Sequence, residues 1–145
     1  MRRGLYCVLL LLLLLAAGCR QPRPEPRVVA DRVFSTDLVR VTVAPYGHDR
    51  GIVPRIIGAS LLDLAGHPLG APLVVAPSPE MPEEGQTAAA ALPVEPARVQ
   101  LRLAVVHGEA TYGVIVPFCR EPADGETRWI RGEARVRYLG KAPEE

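Results

Sequence analysis

The chain has few of the residue types from which catalytic and metal sites are built. Its three histidines stand singly among turn residues, and neither an HExxH nor a CxxC spacing occurs. A surface position is therefore favoured for His48, His67 and His107, with the adjacent pair His48 and Asp49 as a weak alternative for one metal contact. We expect no metal ligands and no cofactor.

Signatures of nucleophilic catalysis and of nucleotide binding are also missing. Ser35, Ser60 and Ser78 lack the G-x-S-x-G setting of a serine nucleophile, and the glycines are scattered instead of forming a phosphate-binding loop. The 17 Lys and Arg residues are nearly balanced by 16 Asp and Glu, for a formal net charge of +1, so broad electrostatic attraction to nucleic acid is not expected. The sequence predicts a non-enzymatic protein with no catalytic residues.

A long apolar run does occur, at the amino terminus. Arg2 and Arg3 precede the apolar residues 5–17, and small residues end this run before Cys19. As a helix the run would span about 20 Å, which is less than the roughly 30 Å of a bilayer's hydrocarbon core. Residues 1–18 are therefore predicted to be a cleaved secretory signal and not a permanent membrane span.

The ending Leu-Ala-Ala-Gly-Cys resembles the lipobox of bacterial lipoproteins, although Ala16 stands where leucine is commonest. In that family the cysteine thiol receives diacylglycerol, the chain is cut before the cysteine, and the new amino terminus is acylated. The resemblance covers residues 1–19 and implies cleavage between Gly18 and Cys19, with lipidation of Cys19. An ordinary secretory signal cut at the same place, leaving Cys19 as a free thiol, is the alternative.

The lipobox resemblance also has consequences for location. Each buried CH₂ contributes about 0.8 kcal/mol, so several acyl chains such as palmitate would hold the protein stably on a membrane. In the family, aspartate after the lipidated cysteine favours retention at the inner membrane. Arg20 in that position implies the outer membrane, facing the periplasm or the cell surface, in an organism with two membranes.

Removal of the leader would change the charge and the cysteine content. The formal charge falls from +1 to about −1, because Arg2 and Arg3 leave with residues 1–18. Cys7 leaves as well and Cys19 would carry lipid, so Cys119 would have no partner for an intrachain disulfide. We expect Cys119 to be buried, since it follows an apolar strand and free cysteine packs as a small hydrophobic residue.

The remaining chain is predicted to be one β-domain on a short tether. Residues 19–27 contain the alternating prolines of QPRPEPR, which favour an extended, solvated spacer. Residues 28–140 suit a single domain, followed by a tail at 141–145. About seven strands with turn residues between them favour an all-β, two-sheet sandwich of immunoglobulin-like or transthyretin-like kind.

Alternation of apolar and polar residues locates most of these strands. Residues 55–64 and 68–75 are predicted to form a hairpin, and a tight turn at 107–109 should join two further strands as a second hairpin. Residues 76–96 are expected to be an exposed loop with a short strand near 87–92, a helix over 88–91 being the alternative, and 119–126 should be a polar loop. The other predicted strands cover residues 27–34, 38–44, 98–105, 110–118 and 127–139.

The last predicted strand carries the one candidate interaction surface. Its inward residues should be Ile130, Ala134, Val136 and Tyr138, which leaves Trp129 and Glu133 facing outward with the arginines. Such a stripe could meet an acidic partner, anionic lipid or a polyanionic glycan, and an ordinary solvated sheet face is the alternative. The candidate residues are Arg128, Trp129, Arg131, Arg135 and Arg137.

These features favour an accessory or docking lipoprotein that binds another envelope protein. A small-ligand-binding lipoprotein, using the space between the sheets or the loop at 45–54, is the second expectation. Cys19, the segment PYGHDRGIVPRIIGASLLDL and the later YGVIVPF and RWI also loosely resemble the outer-membrane lipoprotein of type VI secretion systems. That resemblance, a pattern of strands alone, implies a transthyretin-like sandwich.

Overall fold

The chain folds into two antiparallel β-sheets. The computed structural model describes residues 23–33, 37–47, 51–123 and 126–144, and these ranges contain nine strands and no helix. The all-β, two-sheet prediction is confirmed, with more strands than the seven or so expected. The strands are β1 (Arg27–Val33), β2 (Leu38–Ala44), β3 (Arg55–Leu62), β4 (Val75–Pro77), β5 (Gln86–Ala91), β6 (Arg98–His107), β7 (Ala110–Ala123), β8 (Glu126–Arg131) and β9 (Arg135–Lys141).

The two sheets differ in how their edges are formed. The four-stranded sheet has the order β1-β2-β5-β4, and the five-stranded sheet has the order β3-β6-β7, with both β8 and β9 on the far side of β7. Strand β7 has 14 residues, so its first half pairs with β9 and its second half with β8. The described ranges contain no helix that is long and apolar enough to cross a membrane.

Alternating side chains of β2, β6 and β7 form the core between the sheets. Each inward valine or leucine of these strands is shielded from water, and burial of such a side chain contributes about 1.5–3 kcal/mol. The alternation of apolar and polar residues in these three strands therefore matches their inward and outward faces. The residues with 0% exposure are Val39, Val41, Val43, Val99, Leu101, Leu103, Val105, Val114 and Val116.

The predicted hairpin of residues 55–64 and 68–75 is largely wrong. After β3 the chain makes one bridge, between Leu62 and Pro68, and two further backbone bonds to β3. It then crosses to the other sheet, where β4 pairs with β5. Pro68 and Pro72 have no N–H to donate, so the returning segment cannot form a continuous ladder. Strand β5 confirms the short strand expected near 87–92 and excludes the helix.

The carboxyl-terminal part of the five-stranded sheet also differs from the prediction. Strand β7 continues to Ala123, through most of the predicted polar loop, and the expected strand 127–139 is divided into β8 and β9. At the division the N–H of Gly132 donates to the carbonyl of Pro117 at 2.8 Å. Because of this interruption, the inward-facing residues of β8 and those of β9 do not follow one continuous alternation along the chain.

Candidate docking surface and tether contacts

The predicted arginine stripe is not one surface. Trp129 is only 5% exposed and belongs to the core, so its prediction as a surface residue is wrong, whereas the neighbouring Ile130 is 48% exposed. Arg131 lies on the same side of β8 as Trp129, and its Nη1 donates to the carbonyl of Ala30 in β1 at 3.0 Å. Arg131 therefore links the two sheets. Arg128 is exposed on the opposite side of β8.

Arg135 and Arg137 lie on the outer face of the five-stranded sheet. Residues paired across antiparallel strands share one face, so the register places two rows of side chains across this sheet. Neither row contains an acidic residue. The first row is Gly58, Ala104, Gly113 and Arg137, and the second is Ser60, Arg102, Ile115 and Arg135.

The first row forms the floor of a groove of about 420 Å³. The floor is low because its residues on three adjacent strands have a methyl side chain or none: Gly58, Ala104 and Gly113. Leu139 covers part of Gly113. Arg102 and Arg137 line the groove and are exposed. We call this surface the arginine groove.

The arginines of this surface lack a counter-charge within the described part of the chain. Among the residues that the structure describes, no carboxylate pairs with Arg102, Arg135 or Arg137. By contrast, Arg120 lies 3.3 Å from the carboxylate of Glu95. Arg102 and Arg137 of the groove, and Arg135 in the adjacent row, are therefore available to an external anion. The sequence prediction included Arg135 and Arg137 and missed Arg102. Arg102 lies on β6, and its neighbours in the row, Ser60 and Ile115, belong to β3 and β7.

A second set of contacts fixes the segment that precedes β1. The Tyr112 hydroxyl donates to the carbonyl of Pro24 at 2.5 Å, and the Arg23 guanidinium lies 3.6 Å from the ring centroid of Tyr138. Pro26 is buried. We call residues 23–26 the tether segment. Arg23 and Glu25 are exposed, as a solvated spacer predicts, but Pro24 and Pro26 pack against the domain and depart from that prediction.

Tyr112 is well suited to hold the tether segment. It is 1% exposed, and burial raises the pKa of its hydroxyl above 10.0, although the charge of Arg23 opposes this shift. The hydroxyl therefore remains protonated and able to donate. Its ring also packs edge to face with that of Tyr138, with the centroids 6.0 Å apart.

The histidines occupy different environments. His67 is exposed, as expected, but His107 is 1% exposed, and its prediction as a surface residue is wrong. Its Nε2 lies 3.2 Å from the carbonyl of Ile52, so this nitrogen donates, while Nδ1 has no partner among the described residues. Within the same residues no group of three His, Cys, Asp or Glu side chains could hold a metal ion. His48 lies outside the described residues.

The remaining candidate residues are dispersed. Cys119 is half-buried and not fully buried as expected, because it lies on the outer side of β7 opposite Ile130. Ser60 borders the arginine groove, and the buried Ser78 accepts the N–H of Met81. Ser35, Gly18 and Cys19 lie outside the described residues.

The Asp63 carboxylate closes the loop that follows β3. It accepts the backbone N–H of His67 at 2.8 Å and lies 3.1 Å from Nδ1 of the same residue. The backbone bond first, and then the side-chain bond and charge of His67, lower the pKa of Asp63 below 3.8. We expect NMR titration of the Asp63 carboxyl carbon to give a midpoint below that value.

The direction of this shift sets the pH at which the loop opens. Because the pKa is lower in the folded chain, the ionised carboxylate stabilises the loop above the unfolded value and loses this effect as the pH falls through the folded value. Exchange of the His67 amide with solvent should accelerate over the same acid range. A midpoint at or above 3.8 would contradict the hydrogen bonding described for Asp63.

Comparisons with protein-family models, with curated proteins and with solved structures find no match to this chain.

Proposed function

We propose that this protein is a non-enzymatic lipoprotein of the cell envelope that docks onto another envelope protein. The observation that carries the docking proposal is the arginine groove, an apolar-floored depression between arginines that have no counter-charge among the described residues. The sequence of residues 1–19, with its resemblance to a lipobox, supports attachment of the chain to a membrane through Cys19.

The chemistry of the groove suits an extended, acidic segment of a partner protein. Its floor of Gly58, Ala104 and Gly113 can accept apolar side chains close to the sheet, and Arg102 and Arg137 can each bind a carboxylate. Guanidinium groups form two parallel hydrogen bonds with carboxylates, which provides orientation as well as attraction. A partner with carboxylates flanking small apolar residues would satisfy both parts of this surface.

The membrane part of the proposal is tested by replacing the cysteine of the lipobox. We expect Cys19→Ser to abolish labelling with a fatty-acid analogue and to move the protein from the membrane fraction to the soluble fraction. Cys119→Ser is the matched control, since it removes a thiol from the folded domain and should leave both properties unchanged. Continued labelling of Cys19→Ser would contradict lipid attachment at this residue.

The docking part is tested by reversing charge in the arginine groove. The unaltered protein should form a cross-link to its partner in intact cells, and a variant with Arg102→Glu and Arg137→Glu should lose it. Arg27→Glu, at an exposed position of the other sheet, is the control and should retain the cross-link. Circular dichroism establishes that the variants remain folded. A cross-link that persists after both groove substitutions would contradict docking at this surface.

A small anionic ligand is the second candidate for the same groove. Its volume of about 420 Å³ favours this alternative, because small-molecule sites commonly occupy about 300–1,000 Å³. The groove lies on the outside of one sheet, whereas the space between the sheets is filled by the core. Saturable binding of a carboxylate-bearing compound to the purified domain, without a protein cross-link in cells, would favour this function over docking.

A further inference from the structure

We infer that the protein rests on its membrane by one defined end of the sandwich, so that its second binding partner is the lipid surface itself. This end contains the tether segment, residues 45–47 and 51–54 between β2 and β3, the β4–β5 connection, the turn between β6 and β7, and the end of β9. We call it the proximal end. The inference rests on the proposed lipidation of Cys19 and adds to it the orientation of the folded domain.

The first observation is that the chain leaves the domain at a fixed place. The hydroxyl of Tyr112 holds the carbonyl of Pro24, and the guanidinium of Arg23 lies against the ring of Tyr138. Strand β1 then begins at Arg27, directly opposite Ala44 at the end of β2. The tether segment therefore belongs to the folded domain and is not a free linker.

The second observation is the short distance along the chain between this place and the lipidated residue. Residues 20–22 are all that separate Cys19 from Arg23. Even a fully extended chain spans at most about 3.6 Å per residue, so Cys19 stays within about 14 Å of Arg23. Strand β6, with ten residues, gives the sandwich a length of about 33 Å. The lipid cannot reach the opposite, distal end.

The third observation is the character of the part of the proximal end beside the tether segment. The exposed Glu80, Glu83 and Glu84 lie at the same end but on the β4–β5 connection, at the edge of the four-stranded sheet opposite β1. Tyr46 and Val53 of the β2–β3 connection are 65% and 50% exposed. Because Arg27 pairs with Ala44, Tyr46 leaves the sheet beside the tether segment. The buried His107 binds the carbonyl of Ile52, next to Val53, and so fixes Ile52 to the start of the β6–β7 turn. Tyrosine is favoured at the boundary between membrane and water, where its ring is apolar and its hydroxyl is wet.

This orientation determines what remains accessible to a protein partner. The strands run from the proximal to the distal end, so they would stand roughly upright on the membrane. The arginine groove, on the outer face of the five-stranded sheet, would then open sideways instead of against lipid. The connection between β5 and β6 would point away from the membrane.

The test compares probes at the two ends of the lipidated, full-length protein. A fluorophore is attached at Tyr46→Cys or at Val94→Cys, which is 74% exposed in the distal β5–β6 connection, with Cys119→Ser in both variants. The protein is reconstituted in phosphatidylcholine vesicles in which a fraction of the lipid carries a nitroxide on its headgroup. We expect several-fold stronger quenching at position 46 than at position 94. Equal quenching, or stronger quenching at position 94, would overturn the orientation.

A second pair of substitutions tests whether the tether contacts cause the orientation. Arg23→Ala together with Tyr112→Phe removes the cation–ring contact and the hydroxyl donor while keeping the buried ring. The difference in quenching between positions 46 and 94 should then decrease, with vesicle binding unchanged. A difference that is unaffected would overturn the role of the tether segment.

Flotation of the vesicles separates this inference from the proposed function. Protein that fails to float with the vesicles contradicts the lipid anchor and, with it, the orientation that depends on the anchor. Protein that floats but shows no difference between the two probes contradicts the orientation alone.

Discussion

Replacement of Trp129 by alanine should lower the free energy of unfolding by about 3–5 kcal/mol, the usual cost of truncating a large buried aromatic side chain. Trp129 is 5% exposed and packs in the cluster that joins the two sheets. Its removal takes away a large apolar surface and leaves a cavity that neighbouring strands cannot fill without distorting their pairing. Urea denaturation of the soluble domain, followed by circular dichroism, measures the change.

Ile130→Ala is the control for this experiment. Ile130 is adjacent in β8 but 48% exposed on the opposite face, so its truncation should cost less than about 1 kcal/mol. The simple alternation of the sequence predicts the reverse, with Ile130 inward and Trp129 outward. A larger loss for Ile130→Ala than for Trp129→Ala would therefore contradict the packing of β8 and restore the sequence-based prediction.

The strands that sequence could predict are those whose pattern is local and uninterrupted. In β6 every second residue is apolar, and all four inward residues of Val99, Leu101, Leu103 and Val105 are fully buried. The turn at 107–109 lies between two such strands and brings them together as neighbours. Alternation fixes the inward face of a strand, and a turn of this length fixes its partner.

The reversed phase of β8 had no comparable local signal. Which side chains of β8 face the core depends on the interruption at residues 132–134, where the N–H of Gly132 donates to the carbonyl of Pro117 in the neighbouring strand. A glycine within an otherwise alternating segment can mark such an interruption, but the residue that it contacts is distant in sequence. Without that contact, residues 127–139 read as one strand with one phase.

The tether segment and the arginine groove were missed for the same physical reason. Pro24 and Tyr112 are 88 residues apart in sequence, and a proline-rich segment by itself favours a solvated, extended conformation. The groove requires small residues on β3, β6 and β7 to fall into one row, which depends on the pairing register of three strands. Composition identified the arginines, whereas only the register shows which of them lie together.

The junction between β8 and β9 should be among the least tolerant surface positions of the chain. A Cβ added at Gly132 would lie 2.7 Å from Cγ of Pro117, and the proline ring cannot rotate away as a flexible side chain would. We expect Gly132→Ala to lower the free energy of unfolding by about 1–3 kcal/mol, because the two strands must separate to relieve the overlap.

Gly51→Ala is the matched control for this prediction. A Cβ at Gly51 would have no atom within 4 Å. Alanine at such a position restricts the unfolded chain, so stability should be unchanged or raised by up to about 1 kcal/mol. Equal destabilisation by the two substitutions in urea denaturation would show that loss of a glycine, and not contact with Pro117, is responsible. A loss confined to Gly132→Ala would support the division of the last strand by this contact, and with it the change of phase that buries Trp129 and leaves Arg135 and Arg137 on the outer face.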